Sequence, residues 1–236
     1  MADRPMPQPT AGRTMDPALR AEIARVCSSI PIDVGGSASL LKSLVLGDII
    51  VTKKLVRIVE IGVYRGRLML PLAVLMKALG RGEVVGIDPY TAADAVQTDD
   101  HQVAIDLKAW PATVAWDDIH DSVVEAIASN GLEDRARLIR SRSQDVAHDF
   151  APGTIDLLHV DGNHDEAAVS RDVELYLPKI SAGGFIVLDD VSWPSVRTAY
   201  DRLAAEHELV FELIDRPEFG FADDGWDDFA VFRLTA

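Results

Sequence analysis

Residues 56–66, Val-Arg-Ile-Val-Glu-Ile-Gly-Val-Tyr-Arg-Gly, decide the fold class. The first six are rich in valine and isoleucine, which favour a β-strand, and Gly62 permits the sharp turn that must follow. A helical pattern covers 67–79, and the order of strand and helix then recurs along the chain. Further strands are predicted at 83–87, 136–139, 155–160, 184–188, 208–214 and 228–234, and further helices at 103–110, 117–129, 166–177 and 195–206. This alternation predicts a parallel sheet with helices on both faces.

The last two strands differ from the others because only a short acidic loop separates them. A parallel connection normally carries a helix, whereas neighbouring antiparallel strands need only a loop. The sequence therefore predicts a doubly wound α/β fold, with a mostly parallel seven-stranded sheet that ends in an antiparallel C-terminal hairpin.

The segment ahead of the sheet reads as a tail followed by helices. Asp16 and Pro17 are typical of a helix N-cap and first turn, which predicts a helix through Ser28, and a second helix is predicted over 37–52. These two helices are expected to form either a lid over the site or a dimer contact. The expected parts are a proline-containing disordered tail, a helical appendage and one α/β domain, at residues 1–15, 16–52 and 53–236.

Composition excludes several classes of protein. The formal net charge is -15, which repels phosphate backbones and anionic lipid, so we expect neither nucleic acid nor membrane as a partner. The single cysteine, Cys27, cannot form an intrachain disulfide, which excludes a disulfide-stapled secreted scaffold. No apolar run approaches the roughly 20 residues of a membrane span. A cytoplasmic protein is expected.

Ligands of such sheets bind beyond the carboxyl ends of the strands, so the residues there are the candidates for chemistry. The glycines Gly62 and Gly66 follow the first strand, and Asp88 ends the second. A glycine turn admits a ligand close to the backbone, and an acid in the position of Asp88 accepts hydrogen bonds from ribose hydroxyls. Together they favour nucleoside binding, although a tight turn and a helix cap explain the same residues structurally.

Three aspartates end the fourth and fifth strands. Asp161, Asp189 and Asp190 are expected to share one cleft, where their charges repel unless a cation lies between them. Oxygen ligands of this kind favour Mg²⁺, whereas the alternative is that they cap the helices that follow. His164, three residues beyond Asp161, is a candidate general base or a histidine bonded to that aspartate. His159, inside the strand, is expected to be a satisfied core residue.

Four segments also carry a family resemblance: Glu-Ile-Gly-Val-Tyr-Arg-Gly at 60–66, Gly-Ile-Asp-Pro at 86–89, Ile-Asp-Leu-Leu-His-Val-Asp-Gly-Asn-His at 155–164, and the run from Leu177 that ends Gly-Gly-Phe-Ile-Val-Leu-Asp-Asp at 190. They resemble class I S-adenosylmethionine-dependent methyltransferases. More narrowly they are similar to the metal-dependent, macrocin-type O-methyltransferases, which act on sugar hydroxyls of antibiotics and related small molecules. The resemblance covers roughly residues 55–235 and implies a Rossmann-like methyltransferase fold.

The resemblance also implies roles for individual residues. The methionine part of S-adenosylmethionine would lie against the turn after the first strand, its ribose at Asp88, and its adenine beside the segment that begins at Ser143. The implied cofactor-binding residues are Glu60, Gly62, Val63, Gly66, Asp88, Ser143, Gln144 and Asp161. The implied metal ligands are Asp161, Asp189 and Asp190, and His164 is the implied base.

The expected activity is therefore Mg²⁺-dependent methyl transfer to a hydroxyl of a small molecule, such as a sugar or a natural-product diol chelated by the metal. Residues 90–118 depart from the family pattern, so the acceptor is not specified. Four tryptophans, Trp110, Trp116, Trp193 and Trp226, hint at a flat acceptor ring, although core packing explains them equally. The acidic loop 219–228 is either a lid or a solvated loop.

Three other functions remain open. A nicotinamide-dependent oxidoreductase would share the glycine turn and Asp88, but it leaves Asp161 and the Asp189–Asp190 pair unexplained. A metal-dependent hydrolase would use the aspartates and leave the nucleoside features unexplained. A non-catalytic cofactor-binding protein would retain the pocket but bind no metal.

Overall fold

The computed structural model describes residues 15–32, 38–99, 106–215 and 227–235. Its strands form one seven-stranded sheet in the order β3-β2-β1-β4-β5-β7-β6. In chain order they are β1 (Arg57–Ile61), β2 (Glu83–Asp88), β3 (Ala136–Arg140), β4 (Ile155–Val160), β5 (Ile180–Asp189), β6 (Glu208–Asp215) and β7 (Asp227–Arg233). The first five are parallel, and β7 runs antiparallel to both β5 and β6. The predicted fold class and its antiparallel ending are confirmed.

Helices connect the strands and cover the sheet. They are α1 (Pro17–Ser29), α2 (Leu40–Lys53), α3 (Met69–Leu79), α4 (Ala92–Ala95), α5 (Trp116–Ser129), α6 (Ser143–Val146), α7 (Glu166–Tyr176) and α8 (Pro194–Glu206), with short 3₁₀ turns at Trp110–Thr113, Ala147–Asp149 and Leu177–Lys179. Several N-termini have the caps that their sequences favour. The Asp16 carboxylate accepts from the Ala18 N–H at 2.8 Å, and the Ser39 hydroxyl accepts from the Lys42 N–H at 2.9 Å.

Both faces of the sheet are buried because the central strands are apolar in successive positions. On one face Ile58 and Leu157 pack under α1, α2, α3 and α5 in a single cluster. On the other face Val59 and Leu158 pack under α7 and α8. The connection direction reverses between β1 and β4, which places a crevice at their carboxyl ends.

The N-terminal helices share the core of the sheet. Ile23 of α1 and Leu46 and Ile50 of α2 are fully buried in the cluster that includes α3. The Arg67 guanidinium, itself buried, donates to the carbonyl oxygens of Cys27, Ile30 and Ala38. Helices α1 and α2 are thus bonded to the loop that precedes α3.

One predicted element is wrong in its described part. A helix was predicted over 103–110, but residues 107–109 form a turn and a 3₁₀ turn begins at Trp110, while residues 100–105 lie outside the described part. The short helix α4 stands earlier in the same connection, where the Thr91 hydroxyl accepts from the Asp94 N–H. Local capping and Pro111 explain why helical structure forms at these two places.

Two further expectations concern residues outside the description. Residues 1–14 of the predicted tail and residues 219–226 of the acidic loop, including Trp226, are not described. Among the helices that are described, none combines the length and the apolar character needed to cross a membrane.

Candidate functional site

The turn after β1 passes directly against the turn after β4. Gly62 has φ +85°, and a Cβ placed on it would lie 2.0 Å from the carbonyl oxygen of Asp161. The two turns are also bonded to neighbouring strands, since the Asp161 N–H donates to the Ile61 carbonyl at 2.9 Å and the Gly62 N–H donates to the Ile87 carbonyl at 2.9 Å. Only glycine fits this position, for reasons of both backbone conformation and space.

Asp88 holds the glycine turn from the end of β2. Its carboxylate accepts from the backbone N–H groups of Val63 at 3.0 Å, Tyr64 at 2.9 Å and Tyr90 at 2.7 Å. Burial raises the pKa of Asp88, against the three N–H groups that lower it. The acid predicted to hold a ribose therefore also fixes the loop beside which that ribose would lie.

A cavity of about 340 Å³ opens at the reversal of the strand order. Five of the eight predicted cofactor-binding residues line it: Gly62, Asp88, Ser143, Gln144 and Asp161. The other three do not line the cavity. Val63 contributes its N–H to Asp88, Gly66 permits the turn with φ +76°, and Glu60 lies within β1 beside His159.

The segment that could not be matched to the family forms one wall of the cavity. Trp110 and Trp116 line it with Tyr64. The three rings pack edge to face, with centroids 5.8 to 6.0 Å apart. Trp193, another of the four tryptophans noted in the sequence, is buried, and its ring centroid lies 5.2 Å from that of His164. The aromatic wall is well suited to contact a flat ring.

The turn after β4 is bonded to this same segment. The Asn163 side chain donates to the carbonyl oxygen of Val96 at 2.7 Å, and the Asp165 carboxylate accepts from the N–H groups of Thr98 and Asp99. The His164 N–H lies 3.3 Å from the Gln97 side-chain oxygen that accepts from it. The cavity wall and the predicted base are therefore positioned by one network.

Asp172 of α7 lines the cavity but was not among the predicted site residues. It accepts a hydrogen bond from the Ser143 hydroxyl of α6. Burial raises its pKa to about 6, although that hydrogen bond and the charge of Arg171 lower it. A signal was present in the sequence, since an aspartate on the apolar face of a helix must have a buried partner.

Asp189, a predicted metal ligand, is bound by a lysine of the N-terminal helices. The Lys42 Nζ of α2 lies 2.6 and 2.7 Å from its two carboxylate oxygens. Only 2% of the lysine side chain and 12% of the aspartate side chain are exposed. Burial disfavours the charged aspartate, but the charge of Lys42 outweighs burial and lowers the pKa of Asp189 to about 2.

Asp161 joins this ion pair to a second buried group. Burial and the charge of Asp189 raise its pKa well above the ordinary value. Its Oδ2 is 4.0 Å from His159 Nε2, and His159 Nδ1 is 3.4 Å from Glu60 Oε1. His159 is fully buried as predicted, but its ring nitrogens meet no partner with hydrogen-bond geometry among the described residues. The ring therefore lies between the side chains of Glu60 and Asp161 and is not the satisfied core residue that was expected.

His164 lies between two of the predicted metal ligands. Its Nε2 is 3.6 Å from Asp161 Oδ1 and 3.6 Å from Asp190 Oδ2. Asp190 itself has φ +51°, which turns the chain sharply at the end of β5. The structure thus brings Asp161, Asp189, Asp190 and His164 together, and of these four only Asp161 lines the cavity.

The aspartates converge, but they do not fit a divalent ion as the chain holds them. Mg²⁺ requires carboxylate oxygens close to octahedral positions at about 2.1 Å. The Lys42 Nζ lies against both oxygens of Asp189, so its positive charge would face the ion. Among the described residues, Glu60, His159 and Asp161 each offer a potential ligand atom, and these three atoms lie within 4.8 Å of one another. Two of those three residues, Glu60 and His159, are paired across neighbouring strands.

A family model described as a methyltransferase domain matches residues 59–191, more than half of the chain. The chain belongs to this methyltransferase family. The matched part of the methyltransferase runs from β1 to just past β5 and contains Gly62, Asp88, Asp161 and the Asp189–Asp190 pair.

A curated relative and solved structures extend the comparison. The methyltransferase chain is 30% identical over 152 residues to uncharacterized protein R132 of Acanthamoeba polyphaga mimivirus, covering 63% of this chain and 59% of that protein's length. The O-methyltransferase TomG from Streptomyces achromogenes, solved with SAM, has a TM-score of 0.60 at 16% identity, over 94% of this chain and 92% of that chain. An O-methyltransferase from Bacillus cereus, solved with SAH, has a TM-score of 0.59 at 17% identity, also over 94% and 92%. These structures share the fold.

Proposed function

We propose that this methyltransferase moves a methyl group from S-adenosylmethionine to a hydroxyl oxygen of a small molecule. The observation that carries the proposal is the cavity at the strand reversal, where the glycine turn at Gly62 and the carboxylate of Asp88 face one space. That pairing suits a nucleoside with an attached polar chain. Two structures of the same fold bound to SAM or SAH, both named O-methyltransferases, support it.

Cofactor binding divides between the two ends of the cavity. Asp88 retains capacity to accept from a ribose hydroxyl, because each carboxylate oxygen has two lone pairs and only three N–H groups are bound. Ser143 and Gln144 line the end that would face the adenine. When bound, S-adenosylmethionine supplies an electrophilic methyl group on a positively charged sulfur, which the acidic edge around Asp161 would favour.

His164 is the proposed base. The acceptor oxygen forms a bond to the methyl carbon while the carbon–sulfur bond breaks and its electron pair stays on sulfur. The hydroxyl proton passes to the His164 ring, and the carboxylate of Asp190, 3.6 Å from His164 Nε2, stabilises the resulting positive charge. The aromatic wall and the hydrogen-bond network around Asn163 align the acceptor hydroxyl with the methyl group.

The acceptor is proposed to be a flat or sugar-like ring with a hydroxyl, held against Tyr64, Trp110 and Trp116. A natural-product acceptor agrees with TomG, which is described as involved in tomaymycin synthesis. The predicted magnesium ion is not part of the proposed mechanism, because Lys42 binds Asp189. A cytoplasmic location belongs to the same proposal, since Cys27 is free and buried.

A hydrolase that uses the aspartates is the alternative function. It needs a metal at Asp161, Asp189 and Asp190, and the ion pair with Lys42 disfavours that metal. It also leaves the glycine turn at Gly62 and the carboxylate of Asp88, which both line the cavity, without a nucleoside to bind.

The proposal is tested by incubating the protein with S-adenosylmethionine and a panel of phenols, catechols and sugars, each paired with its amine analogue. Mass spectrometry should detect one added methyl group on a hydroxyl-bearing compound and an equal amount of S-adenosylhomocysteine. Methylation of the amine analogues alone would contradict transfer to oxygen. Asp88→Asn is expected to weaken S-adenosylhomocysteine binding about tenfold or more, because it removes a charged acceptor.

A further inference from the structure

The first turn of helix α2 carries a side chain that reaches the aspartate cluster. Lys42 is the third residue of the helix, and its backbone N–H is bound by the Ser39 hydroxyl at 2.9 Å. Its Nζ reaches both oxygens of Asp189 and lies 5.3 Å from the centre of the Phe229 ring. The side chain is 2% exposed. Lys42 is therefore a buried cation at the position where the sequence predicts a metal.

The Lys42 ammonium is buried with the Asp189 carboxylate directly against it. A buried charge of this kind is held in place only where an opposite charge and hydrogen bonds compensate its desolvation. The two short contacts to Asp189 provide both.

The backbone that carries Lys42 is fixed in the core. The same helix buries Leu46 and Ile50 completely in the core it shares with α3. A divalent ion bound to Asp189 would therefore lie beside a fixed positive charge, and its binding would be opposed by repulsion in a site of low dielectric.

We infer that the Lys42 ammonium is the resident cation of this site and that it takes the place of a divalent metal. The last step of the inference rests on the proposed function: methyl transfer here proceeds without a metal. The acceptor then needs one hydroxyl rather than two adjacent oxygens, because no ion has to be chelated. Simple phenols or single alcohols join diols as substrates.

Titration of the full chain with Mn²⁺, followed by electron paramagnetic resonance, tests the inference directly. The unaltered protein should show no saturable Mn²⁺ site tighter than about 1 mM. Lys42→Met keeps the side-chain length and removes the charge, so the freed aspartates should bind one Mn²⁺ at least tenfold more tightly. Adding Asp189→Asn to that variant should abolish the gain.

The matched control is Arg20→Met, which breaks a comparably short ion pair of the same helices. Arg20 contacts Asp48 at 2.7 Å, but that pair is about one third exposed and lies outside the cleft. Its loss should leave Mn²⁺ binding unchanged. The titration of the unaltered chain needs no variant, so the inference stays testable if Lys42→Met fails to fold.

Two results would overturn the inference. One is a stoichiometric Mn²⁺ site in the unaltered protein that Asp189→Asn removes, and the other is a folded Lys42→Met variant that gains no Mn²⁺ site. Turnover should also change less than twofold between EDTA and Mg²⁺, and a tenfold stimulation by Mg²⁺ would equally overturn it. Failure of the proposed function is a separate result, because it would appear as absent S-adenosylhomocysteine binding in EDTA.

Discussion

At the scale of single residues, Gly62 has a backbone conformation and a close neighbour that exclude a side chain. Gly62→Ala should destabilise the fold by about 3 kcal/mol or more, because an alanine with φ +85° is strained and its Cβ overlaps the Asp161 carbonyl oxygen. Urea unfolding measures the change. Gly153→Ala is the control, since Gly153 has φ +69° with nothing within 4 Å of the added Cβ. That variant should lose only about 1–2 kcal/mol. Equal losses in the two variants would contradict the close contact between the turns.

His164 is expected to act in the chemical step rather than in binding. His164→Ala should lower kcat by about 10² to 10⁴-fold, as expected for loss of a general base, while S-adenosylhomocysteine affinity changes less than about threefold. Steady-state kinetics and calorimetry give the two values. His148→Ala, whose side chain is 78% exposed, controls for loss of an imidazole. A His164→Ala enzyme with kcat near that of the control would remove this residue from the base role.

The strand-end residues could be predicted from sequence, but their partners could not. Gly62, Asp88, Asp161 and Asp189 follow apolar strands, and parallel strands bring such positions to one edge. Lys42 lies 147 positions from Asp189, on a helix whose place against the sheet no local pattern specifies. The surroundings of His159 could not be predicted for the same reason, since Glu60 comes beside it only after β1 and β4 pair.

At the scale of elements, Asp172 joins α7 to α6 through Ser143. Its pKa is raised by burial from 3.8 to about 6, so its contribution to stability is fully present below about pH 4 and is lost as the pH rises through 6. Asp172→Asn keeps an acceptor for Ser143 without the charge. The stability of this variant relative to the unaltered protein should therefore increase by roughly 2 kcal/mol between pH 4 and pH 7.5.

Urea unfolding at the two pH values measures this difference. Asp201→Asn removes a carboxylate that is 70% exposed on α8 and is the matched control. The contradicting result is a difference in unfolding free energy between Asp172→Asn and the unaltered protein that stays constant from pH 4 to pH 7.5. It would show that burial of this carboxyl does not oppose its charge.

Most helices and strands could be predicted because their apolar residues recur at a regular spacing along the whole element. The connection between β2 and β3 was the exception, with one helix predicted over 103–110 and short helices observed at Ala92–Ala95 and Trp110–Thr113. This segment packs through Trp110, Trp116 and Tyr64, which are brought together from separate parts of the chain. Local capping accounts for the two short helices, and tertiary contact among these rings determines how the segment packs.

At the scale of the whole molecule, the N-terminal helices and the sheet form one structure around the site. Arg67 bonds the carbonyl oxygens of both helical segments, and Lys42 enters the aspartate cluster from α2. The region expected to be a lid or a dimer contact thus supplies a charged side chain to the cleft. Lys42 balances the charge of Asp189 from within the chain, and the cavity beside Gly62 and Asp88 is the proposed place of the cofactor.

Calorimetric titration with S-adenosylhomocysteine in the presence of EDTA tests whether this cavity binds the methyl donor. We expect one site with a Kd of about 1–100 μM, and no binding of NAD⁺ under the same conditions. If S-adenosylhomocysteine produces no heat and does not raise the Tm, or if NAD⁺ binds in its place, the proposed methyl transfer is contradicted.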